Sequence, residues 1–160
     1  MTVRTIHSPS KDVHLDQITK ELMRQANHAV TVSGEFQFAI SESPTVDDVY
    51  ARLMCDPDMR SFPWGKTQLW CYGQTTSEDS IQEALALHAG IPENQVHNVS
   101  EGLPEGISID CCLTDGTDVE ALPEDFKRVC QAWIIVSEKD VLDVQSDGVQ
   151  HCFTFDEELD

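Results

Sequence analysis

Apolar residues along this chain recur in two alternating rhythms. Leu15, Ile18, Leu22, Ala26 and Ala29 return every three or four positions between Leu15 and Val32, and Gly34 follows, which predicts a one-striped helix stopped at the glycine. "FQFAIS", Phe36 to Ser41, alternates bulky residues between turn formers and reads as a strand. From Thr45 to Met54 the helical period returns, with Val46, Val49, Tyr50 and Leu53 on one face. A loop from Cys55 to Gly65 carries Pro57 and Pro63 and leads into a second strand, "KTQLWCYG" from Lys66.

"SEDSIQEALALHAG" starts at Ser77, carries acids in its first turn, repeats Ile81, Leu85 and His88, and stops at Gly90, the start and stop signals of a helix. The short apolar "VHNV" and a Gly/Pro-rich connector precede "ISIDCCLT", Ile107 to Thr114, a further strand. "DVEALPEDFKRVC" reads as a helix begun at Pro123. "AWIIVS", Ala132 to Ser137, has the unbroken apolar character of a strand covered on both faces, and "VQHCFTF" forms a last strand before the acidic tail 156–160. Strands and helices in alternation predict one α/β domain over residues 1–160. Its expected architecture is three-layered and Rossmann-like: an open, mostly parallel sheet of about five strands with helices on both faces.

Charge narrows the partners. Lys and Arg total 10 against 29 Asp and Glu, a formal charge of −19. Such a surface repels phosphate backbones and acidic lipid, so neither nucleic acid nor a membrane is an expected partner. The excess serves solubility or a basic protein partner. With 40% hydrophobic residues, three Trp and six Phe, the chain can build its own core. It shows no apolar run of about 20 residues and no secretory leader, so a cytoplasmic location is expected.

The six cysteines read as reduced thiols; none are spaced as CxxC, and neighbouring Cys111 and Cys112 should point to opposite faces of a strand. No metal and no cofactor is expected, for GxSxG, P-loop and HExxH motifs are all absent.

The candidate chemistry centres on "FAISESPTVDDVY", Phe38 to Tyr50. A strand, a tight turn and a helix make a phosphate cradle when the turn is glycine-rich, because the free N–H groups and the positive end of the helix dipole face the anion. Here the turn carries Glu42, and Asp47 and Asp48 lie early in the helix. Ser43 or Thr45 can cap the helix, and Thr45 with Asp48 has capping-box spacing. A carboxylate at that end stabilises the helix by about 0.3–1 kcal/mol and repels a phosphate.

"GEFQFAISESPTVDDVYARLM", "FPWGKTQLWCYGQ" and "TSEDSIQEALALHAGIPENQVHNV", in this order and with these spacings, resemble the N-terminal part of the 6-phosphogluconolactonase family, which is grouped with glucosamine-6-phosphate isomerase. Trp64 and "IPENQVH" are its landmarks here, and the chain is short for a member. The family's Ser-Gly-Gly-Ser-Thr-Pro stands here as Ser41-Glu42-Ser43-Pro44-Thr45, and its Asp-Glu-Arg as Tyr72-Gly73-Gln74. Neither Asp115-Gly116 nor Asp147-Gly148 is followed by the family's His.

The resemblance therefore implies a shortened, degenerate relative without lactonase activity, kept as a binding or interaction protein for a sugar-like ligand or a protein partner. The rival reading is an active hydrolase or isomerase on a sugar or sugar phosphate. The crevice expected for either lies near Ser41, Ser43, Thr45, Gln74 and Ser137, at the carboxyl ends of strands. No catalytic residue can be assigned: His88 and His97 read as packing groups, and His151 sits in a strand with no acid in view to orient it. A shortened domain with an uncovered sheet edge also raises the expectation of a homodimer.

Overall fold

The computed structural model describes residues 3–40, 44–71, 90–98, 106–114, 128–136 and 149–155. Their elements run β1 (Val3–Ser8), α1 (Lys11–Ser33), β2 (Phe36–Ile40), α2 (Pro44–Cys55), β3 (Thr67–Cys71), β4 (Val96–Asn98), β5 (Cys111–Thr114), β6 (Ala132–Val136) and β7 (Val149–Phe155). Short 3-10 turns at Pro57–Met59, Trp64–Lys66 and Glu93–Gln95 punctuate the connections. The strands form a seven-stranded sheet in the order β1-β7-β6-β5-β2-β3-β4, and every pairing between them is parallel. This exceeds the five or so strands expected. The expected strand at Lys66 starts at Thr67, after the turn around Trp64.

β1 is the strand that the sequence hides. Its two apolar residues, Val3 and Ile6, stand three positions apart in the sequence, which leaves no two-residue alternation to read. Only pairing with β7 makes it a strand, in the register Arg4 to His151 and Ile6 to Phe153. His7 Nδ1 lies 2.8 Å from Thr154 Oγ1, and the Ser8 hydroxyl donates to Gln17 Oε1 at 2.8 Å.

α1 forms where its apolar stripe and caps place it. The Ser10 hydroxyl accepts from the Val13 N–H at 3.3 Å. Gly34, at φ +89°, donates its N–H to the Val30 carbonyl at 2.9 Å. Leu15, Ile18, Leu22, Ala26 and Ala29 are buried against the sheet, together with Val46, Val49, Tyr50 and Leu53 of α2. Phe36, Phe38, Ile40, Leu69, Cys111, Leu113, Ile134, Val136 and Phe153 meet both helices on this face. A fully buried Leu or Phe contributes about 1.5–3 kcal/mol, so this layer is the main source of cohesion.

The opposite face holds a second cluster: Ala39, Trp70, Ile109, Cys112, Cys130, Trp133, Ile135 and Cys152. Cys111 and Cys112 thus point to opposite faces as expected, and all five residues of β6 are buried. All six cysteines are free. The two described α-helices share one face; the helices expected over 77–90 and from Pro123 fall largely outside the described residues.

Candidate functional site

From β2 the chain moves outward through β3 to β4, then returns to β5 on the other side of β2 and moves outward again through β6 to β7. The strand order therefore reverses between β2 and β5, and in open parallel sheets a ligand crevice opens at the carboxyl ends flanking such a reversal. Ile40 pairs with Cys71 on one side and Leu113 on the other, and Thr114 pairs with Ile135. Four adjacent strands, β3, β2, β5 and β6, thus end at the same level. Ser41 directly follows Ile40, Ser137 directly follows Val136, and Gln74 comes three residues after Cys71. β2, β3 and β6, which precede these positions, run toward the same end of the sheet. Ser41, Ser43, Gln74, Ser137 and the side chain of Thr45 themselves lie outside the described residues.

The local electrostatics are legible from α2. The helix begins at Pro44, a residue suited to a first helical position, so Thr45 is already inside the helix and the capping-box reading does not hold. Asp47 occupies the first turn. The Asp48 carboxylate is held by Lys11 at 2.7 Å rather than turned back to a cap. Arg52, in the last turn of α2, pairs with Asp12 at 2.6 Å, so these two ion pairs fasten the start of α1 to α2.

The histidines divide by environment. His97 stacks on Trp70 with ring centroids 4.2 Å apart, and its Nε2 lies 2.7 Å from Gln68 Oε1; Trp70 in turn donates to Gln37 Oε1 at 2.7 Å. That is a packing role, as expected. His88 lies outside the described residues. His151 corrects the sequence reading: an acid does face it, Glu21 of α1, whose Oε1 lies 3.5 Å from His151 Nε2. No local pattern signals this pair, because 130 positions separate its members and only the packing of α1 over β7 joins them. Burial pushes the Glu21 carboxyl up, but hydrogen bonds from Arg24 at 2.8 Å and Gln25 at 3.2 Å outweigh it and leave the pKa lowered. Burial pushes the His151 imidazole down more than Glu21 lifts it, so the ring is held neutral at neutral pH.

His151 also opens onto a cleft at the other end of the sheet. Between the second half of α1 and the amino ends of β1, β7, β6 and β5 lies a depression of about 560 Å³, lined among others by Arg4, Arg24, His28, Asp110, Gln131 and His151. An adjoining recess of about 360 Å³ is bordered by Arg4, Lys20, Glu21 and His151. Among the described residues no group of His, Cys, Asp or Glu has the arrangement of a metal site, and no helix is long and apolar enough to cross a membrane.

No family model matches the sequence, and no curated protein matches it significantly. Solved structures do. A 6-phosphogluconolactonase from Thermotoga maritima superposes with a TM-score of 0.74 at 14% identity, over 97% of this chain and 100% of that one. The enzyme from Leishmania guyanensis gives 0.68 at 9% identity over 97% of each chain, and one from Shewanella baltica 0.66 at 10% over 98% of each. The chain therefore has the 6-phosphogluconolactonase-like fold, and the resemblance read from Trp64, the turn after Ile40 and "IPENQVH" is correct at the level of architecture.

Proposed function

We propose that this chain keeps the lactonase-like fold without the hydrolytic step, and acts as a binding or interaction protein for a sugar-like ligand or a protein partner at the carboxyl ends of β3, β2, β5 and β6. The observation that carries the reading is Asp47 in the first turn of α2, at the strand reversal where a phosphate would need open N–H groups. Glu42 adds a second carboxylate in the preceding turn of the sequence. The nearby cation, Lys11, is already paired with Asp48. Hydrolysis of a phosphosugar lactone needs a positioned base and a cationic hold on the phosphate tail, and the chain replaces the family's Arg-bearing strand end with Tyr72-Gly73-Gln74.

The test is direct. Incubated with 6-phosphogluconolactone, the protein should leave the rate of ring opening at the buffer rate; acceleration that depends on protein concentration overturns the proposal. Enzymatic opening of an unphosphorylated sugar lactone would instead favour a hydrolase with a changed substrate.

A further inference from the structure

The cleft at the amino ends of the strands lies on the far side of the sheet from the proposed carboxyl-end crevice and is built differently. Arg4 and His151 are register partners on β1 and β7, so their side chains leave the sheet on the same face, the face that α1 covers. His28 and Arg24 approach from α1, one turn apart. Two of the chain's ten Lys and Arg residues and two of its six histidines thus line one depression, in a molecule carrying −19 overall.

Arg4 and Arg24 face Asp110 in the cleft proper, and the adjoining recess adds Lys20 and Glu21. The two carboxylates are already engaged in hydrogen bonds. Glu21 is occupied by Arg24 and Gln25, and Asp110 Oδ2 accepts the Gln37 backbone N–H at 2.8 Å. The negative end of the α1 dipole is also partly satisfied, since the Ser33 hydroxyl donates to the Ala29 carbonyl at 3.0 Å and Gly34 N–H to that of Val30. Among the described residues no side-chain hydrogen bond engages the Arg4 guanidinium or the His28 ring, both of which line the cleft, while the His151 ring, 4% exposed, has Glu21 Oε1 3.5 Å from its Nε2.

We propose that this amino-end cleft binds a small organic anion, a phosphate monoester or carboxylate, held by the Arg4 guanidinium with His28 and His151. A guanidinium presents paired N–H groups that match two oxygens of such an anion, the His28 ring can donate a further hydrogen bond, and protonation of His151 adds a charge-assisted one. Arg4, Arg24 and Glu21 are the charged groups that act on His151: the arginines hold its proton affinity down and Glu21 raises it. An anion lying against Arg4 offsets that arginine, so binding and protonation of the ring favour one another.

Histidine proton resonances, followed by NMR during titration with sulfate and separately with inorganic phosphate and 6-phosphogluconate, test this. Sulfate keeps its charge across the range, so any pH dependence of its binding belongs to the protein. Saturable shifts of the His28 and His151 signals are expected, with sulfate affinity rising at least about tenfold from about pH 8 to about pH 6. Arg4→Gln, on an exposed edge-strand residue, should weaken binding by about tenfold or more while leaving the His97 signal in place. Absence of saturable shifts at millimolar anion, or affinity that Arg4→Gln does not change, overturns the proposal. The outcome is separable from the proposed loss of lactonase activity: ring-opening assays report on the carboxyl ends alone. A rise in melting temperature with 6-phosphogluconate that survives Arg4→Gln would count against the amino-end cleft, whereas one abolished by it supports that cleft.

Discussion

His14 packs under the end of β7 with its ring centroid 4.6 Å from that of Phe155, and burial pushes its pKa down, as it does that of His151. Both rings therefore bind fewer protons when folded than when unfolded. Their contribution to stability is present above about pH 6.5, the unfolded value, and is lost as pH falls through the lowered folded values. Urea midpoints should accordingly drop between about pH 7 and about pH 5. His14→Leu, which keeps a similar volume and removes the titrating group, should flatten part of that drop; an unchanged acid loss in this variant would show that His14 is not among the groups responsible. Glu21 acts in the same direction at lower pH, since its lowered carboxyl pKa adds stability that disappears once it is protonated. Of these residues the sequence placed His151 in a strand and gave no sign of the acid that faces it. Their environments come from α1 and β7, elements more than a hundred positions apart, so no local pattern carries them.

Elements were more legible than environments. The stripe Leu15–Ile18–Leu22–Ala26–Ala29 and the stop at Gly34 define α1 because side-chain period and capping are properties of neighbouring residues. The glycines separate two costs. Gly34 has φ +89° with open space where a Cβ would stand, so Gly34→Ala should lose about 1–2 kcal/mol from backbone strain alone. Gly65 also has open space and no positive φ, so Gly65→Ala should be neutral or stabilise by up to about 1 kcal/mol. Thermal melts of the two variants check this, and equal losses would refute the assignment of Gly34 as a left-handed cap. α2 was read one residue late at its start and one residue early at its end, and its capping box was misread for the same reason: Pro44 can open a helix, which places Thr45 inside it. β1 was missed because an edge strand with one face half exposed needs no alternation.

Across the whole molecule the charge of −19 sets a background against which local pairs count for little. Exposed pairs such as Lys20 with Asp16 at 2.8 Å and Lys11 with Asp48 contribute little, and salt weakens them. Salt also screens the repulsion among the excess carboxylates, whose range at low ionic strength spans the molecule. The second effect should win, so melting temperature should climb as sodium chloride rises from about 0.01 M to about 0.3 M; a fall would mean that the ion pairs tying α1 to α2 dominate. The sequence by itself determined the alternation of strands and helices, the doubly buried β6, the opposed Cys111 and Cys112, and the acid-bearing turn after β2, since each is written in residues within a few positions of one another. Only the tertiary structure decided the seven-strand order, the reversal between β2 and β5 that brings the ends of four strands level, the Glu21–His151 pair, and the amino-end cleft of Arg4, His28 and His151. Those features join residues far apart in the chain, and what brings them together is the burial of α1 and α2 on one face of the sheet, a consequence of the whole core rather than of any one segment.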